Sequence, residues 1–559
     1  MNEEFFAERY PGGYPSKVDL SQHQSVTEIF NGFVKKYAQR PAFTCLGQMM
    51  TYEELDQKSA AFAAYLQNET SLQPGDRMAV QLPNVLQYPV VVFGAMRAGI
   101  IVVNTNPLYT EREMEHQFND SGAKALVVLA NMGSKAESVV PKTGIKHVIV
   151  TEVGDLHKPV KRILINAVLK HVKKEVPPFS IPGAVPLRKA LSAGAGKDYA
   201  PVTATKDDIA VLQYTGGTTG VAKGAMLTHA NLMANMMQSH GVFTQILEEG
   251  QETAICPLPL YHIYAFTVHC MVLLETGNHN ILIPNPRDIP GFIKTLQNTE
   301  FTAFTGLNTL FVALCAQPDF RALDFSKLKM TISGGMALTK AAFDEWKAVT
   351  GIEVAEGYGM TETSPVVSFN PAGHIKQGTI GMPVAGTVCK VIDEEGNDLP
   401  LNEPGELCVK GPQVMKGYWQ RPEATAETMT ADGWLKTGDM AVIMDDGYMK
   451  IVDRKKDMII VSGFNVYPNE VEDVIVSHKD IVEAAAVGVP DEKSGESVKV
   501  FAVRSNPNLT EKDVVAYARE NLTAYKVPRF VEFRDELPKT NVGKILRREL
   551  RDEELAKHK

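Results

Sequence analysis

The densest chemistry in this 559-residue chain lies in Tyr214-Thr215-Gly216-Gly217-Thr218-Thr219-Gly220-Val221-Ala222-Lys223-Gly224. Four glycines within nine residues let the backbone turn sharply and offer its N–H groups to a single anion. Thr215, Thr218 and Thr219 add hydroxyl donors, and Lys223 adds a positive charge. That is the composition of a phosphate cradle. It is not a Walker A loop, because Ala222 stands where G-x-x-x-x-G-K-[ST] requires glycine. A plain surface loop is the rival reading. It is disfavoured because the segment follows directly on the apolar run 209–214, which reads as a buried strand.

A cradle needs rigid elements on either side, and the first half of the chain supplies them. Ser25-x-x-Glu28 and Thr51-x-x-Glu54 are capping boxes opening two helices. Apolar runs at 78–82 and 100–103 flank a helical stretch of about 85–98, a βαβ unit and therefore a parallel sheet buried on both faces. Further strand-like runs stand at 125–129, 147–150, 281–284, 302–305 and 330–333, with a helix from about Thr228. From Gly378 the texture changes to short strands punctuated by Gly, Pro and Asp, a small β subdomain reaching about 453. The tail from Asp457 mixes helix and strand and ends basic, with Lys539, Lys544, Arg547 and Arg548.

Composition narrows the partners. With 57 Lys and Arg against 66 Asp and Glu the net charge is −9, which argues against nucleic acid as the main partner. The six cysteines include no C-x-x-C pair and read as buried reduced thiols. The first residues are acidic and lack the plan of a secretory leader, and no apolar run reaches about 18 residues, so an intracellular chain is expected. One segment stands apart. Residues 161–176 place Ile165, Val168, Leu169, Val172 and Val176 on one helical stripe with lysines largely off it. Such a helix can lie in a membrane interface, or it can be a linker packed on the protein's own body.

Further motifs follow the glycine-rich loop in order: Gly357-Tyr358-Gly359-Met360-Thr361-Glu362-Thr363, Thr437-Gly438-Asp439, Asp453-Arg454-Lys455-Lys456-Asp457 running into Ser462-Gly463-Phe464, and Pro538-Lys539-Thr540-Asn541-Val542-Gly543-Lys544-Ile545. Together they resemble the motifs of the adenylate-forming, acyl-activating superfamily. The resemblance implies an α/β fold. Its large N-terminal domain, 1–453, holds βαβ-type sheets flanked by helices, with 378–453 as the small β subdomain. A hinge at 454–456 joins it to a smaller, mobile α+β lid, 457–559.

The resemblance also implies roles. Lys544 bridges the carboxylate and the α-phosphate, Glu362 holds Mg²⁺, and Thr218 and His262 assist. ATP is held by residues 214–224, Gly335, Gly357, Tyr358 against the adenine, Gly359 and Thr361. Asp439 and Arg454 take the ribose, Lys456 is the pivot, and the Gly463 turn covers the thiol channel once the lid rotates. Adenylation brings two anions together, so a cation and a lysine are the groups such chemistry needs.

The acid is read from two stretches, 256–274 and 304–314, which contain no Asp, Glu, Lys or Arg and favour a hydrocarbon chain, with plain core packing as the rival. The stretch 432–456 resembles that of fatty acyl-CoA synthetases, and most of the chain is similar to bacterial long-chain fatty acid–CoA ligases. The implied reaction joins a long-chain fatty acid, ATP and coenzyme A with Mg²⁺. The implied setting is the cytoplasm or the cytoplasmic face of the inner membrane, with homodimerisation left open. The rivals are an acyl-AMP ligase serving a carrier protein, a luciferase-like oxidation of the adenylate, and a non-catalytic nucleotide- or acyl-binding regulator.

Overall fold

The computed structural model describes residues 2–215, 222–491, 494–540 and 543–557. Among them the strands form four sheets. The first has seven strands in the order Val185–Pro186, His147–Thr151, Ala125–Leu129, Arg77–Gln81, Ile101–Asn104, Ile209–Thr215 and Lys223–Thr228. All its pairings are parallel except the last. Ala125–Leu129 is buried at every residue, as a continuous apolar run in a parallel sheet covered on both faces should be. The βαβ unit falls as read, with the helix Gln87–Arg97 between Arg77–Gln81 and Ile101–Asn104.

The second sheet has nine strands. Its parallel centre includes Thr253–Cys256, Ala303–Gly306, Met330–Ser333 and Val354–Gly359, and antiparallel strands close both edges. One apolar core runs through both sheets and their helices. A buried side chain ties them: the Asn84 amide donates to the carbonyls of Cys256 and Leu258, and its Oδ1 accepts from the Leu260 N–H. Thr51 and Glu54 close a full capping box. At Ser25 only half forms, because the Glu28 carboxylate takes the Gln24 N–H instead.

The small β-sheet is antiparallel, Val388–Ile392, Gly405–Lys410, Leu435–Ile443 and Met449–Arg454. Its first strand begins at Val388, while Gly381, just after the change of texture at Gly378, bridges to Met449 of its last strand. Met382–Pro383 pairs with Val366–Phe369 and so belongs to the nine-stranded sheet, a long-range pairing that local texture cannot express. The last sheet, from Ile459–Val461 to Phe530–Phe533, carries its own core.

Of the two readings of the stripe at 161–176, packing on the protein's own body fits Ile165, Val168 and Leu169, whereas Val172 on the same stripe is exposed. The helix is Pro159–Ala167, continued by a wider turn over Val168–Val172. Ile165, Val168 and Leu169 are half-buried against the body, beside Asn166, whose Oδ1 accepts from the Gly154 N–H. The outward face instead carries Val160, Ile163 and Leu164.

Candidate active site

The strands Ile209–Thr215 and Val354–Gly359 both run out at their carboxyl ends into one cavity of about 2810 Å³, the usual place for a ligand in an open α/β sheet. The first strand presents Tyr214 and Thr215, and Lys223 is paired back to Thr215. Gly216, Gly217, Thr218, Thr219, Gly220 and Val221 lie outside the described residues. The flanks are braced from one helix, Glu111–Ser121: the Tyr214 hydroxyl donates to Asp120 Oδ2 at 2.7 Å, and His116 Nε2 lies 3.0 Å from the Ala222 carbonyl oxygen. Gly224 stands beside these flanks rather than in the cavity lining, and a Cβ there would sit 3.0 Å from the Tyr214 ring.

Gly357, Tyr358, Gly359, Thr361 and Glu362 line the same cavity, as does Gly335 from the segment after Met330–Ser333. Gly359 has a steric reason, since a Cβ would lie 2.1 Å from the Pro365 carbonyl oxygen. The Tyr358 hydroxyl donates to Asp439 Oδ2 at 2.6 Å, and Arg454 Nε stands 3.4 Å from Asp439 Oδ1. Asp439 and Arg454 face each other across neighbouring strands, so the sheet register sets that pair. Glu362 is buried, which raises its carboxyl, while the Tyr418 hydroxyl, donating to Oε1 at 2.6 Å, opposes the shift. Lys223 Nζ lies 4.9 Å from the centre of the Tyr418 ring, which completes a cation–tyrosine–carboxylate row.

Lys544 arrives from the other end of the chain. Its turn is closed by the Thr540 N–H donating to the Lys544 carbonyl at 2.7 Å. Gly543 is in the left-handed region at φ 83° and packs so tightly on Thr309 that a Cβ would come within 2.7 Å of its hydroxyl. Lys544 is pushed down to about 8, by burial first and by the neighbouring Arg454 second. Lys456 is also pushed down to about 8, by burial and then Arg454, and its Nζ is buried without a hydrogen-bond partner. Lys544, Lys456 and Arg454 therefore converge on one site, where Asp439 and Asp457 act on both lysines and Glu362 on Arg454. Among the described residues the Lys456 ammonium has no hydrogen-bond partner, and an incoming polyphosphate would supply one.

His262 lines the cavity and caps the short helix Ile263–Ala265, accepting the Tyr264 N–H on Nδ1 at 3.3 Å. Burial pushes it down to about 4, so it is neutral at pH 7 and can orient a group but not bring a charge. Gly463 is expected at the site only after the lid rotates, and in this arrangement it lies outside the cavity. Its turn, between Ile459–Val461 and Phe464–Val466, is not part of the cavity wall, because the C-terminal sheet presents the Lys544 turn there instead.

The same cavity also has apolar and aromatic lining from Tyr264, Val268, Val242, Phe243, Phe311 and Phe369. The stretches 256–274 and 304–314 are thus divided. Some of their residues face the cavity, whereas Cys256 and Phe304 are fully buried core. Sequence reasoning missed Tyr418, Asp120, Thr309 and Glu356, a cavity-lining carboxyl that burial pushes up to about 8. Nothing local marks them, since each matters through a partner far along the chain. Arg547 was visible only as part of a basic tail. It binds Glu472 through Nε at 2.7 Å and Asp453 through Nη1 at 3.1 Å.

Residues 30–419 match the family model described as AMP-binding enzyme, and residues 470–544 match the AMP-binding enzyme C-terminal domain. The chain belongs to the AMP-binding enzyme family. Within that family it is 52% identical over 546 residues to a long-chain-fatty-acid–CoA ligase of Escherichia coli O157:H7, covering 98% of this chain and 97% of that one. It is 37% identical over 556 residues to a long-chain-fatty-acid–CoA ligase of Bacillus subtilis (strain 168), with 98% of each covered. Among solved structures, ATP-bound MatB from Rhodopseudomonas palustris superposes with a TM-score of 0.82 at 29% identity, over 95% of this chain and 100% of that one.

Proposed function

We propose that this AMP-binding enzyme converts long-chain fatty acids to acyl-CoA, with ATP, through an acyl-adenylate. The observation that carries the reading is a single cavity lined both by the Lys544–Arg454–Asp439 cluster and by apolar side chains such as Val242, Phe243 and Phe369. A hydrocarbon chain lies against those apolar side chains while its carboxylate meets the cations. A carboxylate oxygen attacks the α-phosphorus, and the bond to the pyrophosphate oxygen breaks. The thiol sulfur of CoA then attacks the acyl carbonyl carbon, the bond to the AMP oxygen breaks, and the thiol proton passes to solvent.

Lys544 and Lys456 offset the negative charge that gathers as the two anions meet. Asp439, held by Tyr358 and Arg454, accepts from the ribose hydroxyls. Glu362, with one oxygen on Tyr418, offers the other to Mg²⁺. The donor set fits that ion, since Mg²⁺ is commonly held by one carboxylate with phosphate and water oxygens completing its shell. When bound, Mg²⁺ withdraws charge from the phosphates. His262, being neutral, positions the substrate rather than protonating it.

The chain divides into a body, 1–453, a hinge, 454–456, and a lid, 457–559. With Lys544 in the cavity and Gly463 outside it, the arrangement suits the first half-reaction, and rotation about the hinge serves the second. The enzyme works peripherally at the cytoplasmic face of the inner membrane, where its substrate dissolves. Among described residues no helix is long and apolar enough to cross a membrane.

The test is AMP release from Mg·ATP with fatty acids from short to long, each with and without CoA. CoA-dependent turnover that strengthens with chain length is expected. AMP formed with no CoA dependence would assign the acyl group to another acceptor, such as a carrier protein, and silence across the panel would overturn the reading.

A further inference from the structure

Two elements far apart in sequence meet at the surface at one edge of the nine-stranded sheet. The first is the hairpin Pro41–Cys45 and Gln48–Thr51, whose connecting residues Leu46 and Gly47 are both left-handed, at φ 47° and 72°. The second is the helix Pro159–Ala167 with its continuation to Val172. They are joined by the Lys161 ammonium, which donates to the Leu46 carbonyl, and by the Lys158 N–H, which donates to Gln48 Oε1 at 3.3 Å. A Cβ on Gly47 would already sit 3.0 Å from Lys161 Nζ, so the turn and the helix are in direct contact.

The apolar side chains of this junction point outward. Val160 is 82% exposed, Val172 73%, Ile163 63%, Leu164 61%, Met49 49% and Leu46 44%. Residues 160, 163, 164 and 167 follow the i, i+3, i+4, i+7 spacing of one helical face, while Asn166, Ile165 and Leu169 hold the opposite face to the body. Single exposed apolar side chains need no explanation, but six brought together from two elements do. From Lys158 to Glu175 the chain carries Lys158, Lys161, Arg162, Lys170, Lys173 and Lys174 against one acid, Glu175, which lies 3.9 Å from Lys173, although the whole protein is at −9. The charge is concentrated where the apolar side chains are exposed.

Resting on the reading of a ligase that takes its acid from lipid, we propose that the Leu46 hairpin tip and the helix Pro159–Ala167 form one membrane-docking surface for a bilayer bearing anionic headgroups. The apolar face enters the headgroup–acyl boundary, and the lysines around it meet the lipid phosphates. Of the sequence stripe, Ile165, Val168 and Leu169 form the side that grips the protein, whereas Val172 beyond them is exposed. The membrane side is the other one, and it is completed by a hairpin that no helical periodicity could reveal.

The experiment is co-sedimentation of the full-length protein with phosphatidylethanolamine vesicles containing one-third phosphatidylglycerol, and with pure phosphatidylcholine vesicles. In parallel, AMP release is followed with detergent-dispersed fatty acid. Ile163→Ser/Leu164→Ser is expected to weaken vesicle binding roughly tenfold or more, the scale for withdrawing two branched side chains from an apolar phase. Leu46→Asn/Met49→Gln is expected to weaken it by about threefold or more. Lys170→Gln/Lys173→Gln/Lys174→Gln should abolish the preference for phosphatidylglycerol, and all three variants should keep their turnover on dispersed substrate. Unchanged binding by the helix variant overturns the surface, and unchanged binding by the hairpin variant overturns its two-element construction. A wild-type dimer that falls to a monomer in the helix variant, read by light scattering, would assign the face to a second copy and overturn the bilayer. Vesicle binding by a wild type that releases no AMP with CoA would instead overturn the ligase reading and leave the surface standing.

Discussion

The Tyr358 hydroxyl donates to Asp439 Oδ2 at 2.6 Å, joining two strands whose residues are 81 positions apart. Arg454 engages the other oxygen of the same carboxylate. A carboxylate held on both oxygens cannot rotate, so its remaining lone pairs face one direction. Tyr358→Phe removes one of these restraints, a hydrogen bond to a charged group worth about 1.5–3 kcal/mol. We expect KM for ATP to rise roughly tenfold with KM for the fatty acid unchanged. Steady-state kinetics with each substrate varied in turn would show it. An equal rise in both would mean that Tyr358 supports the whole cavity instead.

Tyr418 prepares Glu362 in a similar way, and its loss should be read through the cation. Tyr418→Phe leaves a buried carboxylate without its donor, which favours the protonated form. The Mg²⁺ concentration at half-maximal rate is expected to increase several-fold, with a larger increase at pH 6 than at pH 8. A Mg²⁺ titration at the two pH values decides this. No change at either would place Glu362 outside the cation's shell.

Lys544 and Lys456 set the alkaline limb. A lysine carries its charge below its pKa, and both stand at about 8 in the protein without nucleotide. The ratio kcat/KM for ATP reports the free enzyme. It should be flat below about 8 and fall as the pH passes through that value and both ammonium charges are lost. Lys456→Met should leave a shallower limb, with one proton lost in place of two. A wild-type profile flat to pH 10 would show that neither charge is used. Lys544→Ala is expected to stop adenylation.

Arg547 holds the lid to the body. Its guanidinium binds Glu472 within the lid and the buried Asp453 just before the hinge, 94 residues away in sequence. Burial pushes Asp453 up to about 6, with Arg547 opposing that shift. Removing one member of a buried pair strands the other charge at a cost of about 3–5 kcal/mol. Arg547→Ala should therefore depress fatty-acid-dependent pyrophosphate exchange by more than tenfold, with a smaller effect on thioester formation from supplied acyl-adenylate. Equal losses in both would mean that the contact stabilises the lid itself and not this orientation.

The strands and helices of the body were legible because each is marked locally. Continuous apolar runs such as 125–129 can be buried on both faces only in a parallel sheet, and Thr51 with Glu54 satisfies its own helix terminus. The glycine-rich loop, the order of the motifs and the apolar stretches also stood in the chain as written, and with them the chemistry of a phosphate, a carboxylate and a hydrocarbon. Where the motifs converge is another matter. That Lys544 reaches Asp439 and Arg454, that Gly463 stands aside while it does, and that Tyr418 serves Glu362 all depend on contacts between distant segments. The same holds for Met382, claimed by the larger sheet, and for the helix at 159–172, whose exposed face is chosen by Asn166 gripping Gly154 and by a hairpin more than a hundred residues upstream. Local sequence fixes which backbone geometry and which functional groups are available. Which of them face one another is decided by sheet register and by burial of the core, which are properties of the whole chain.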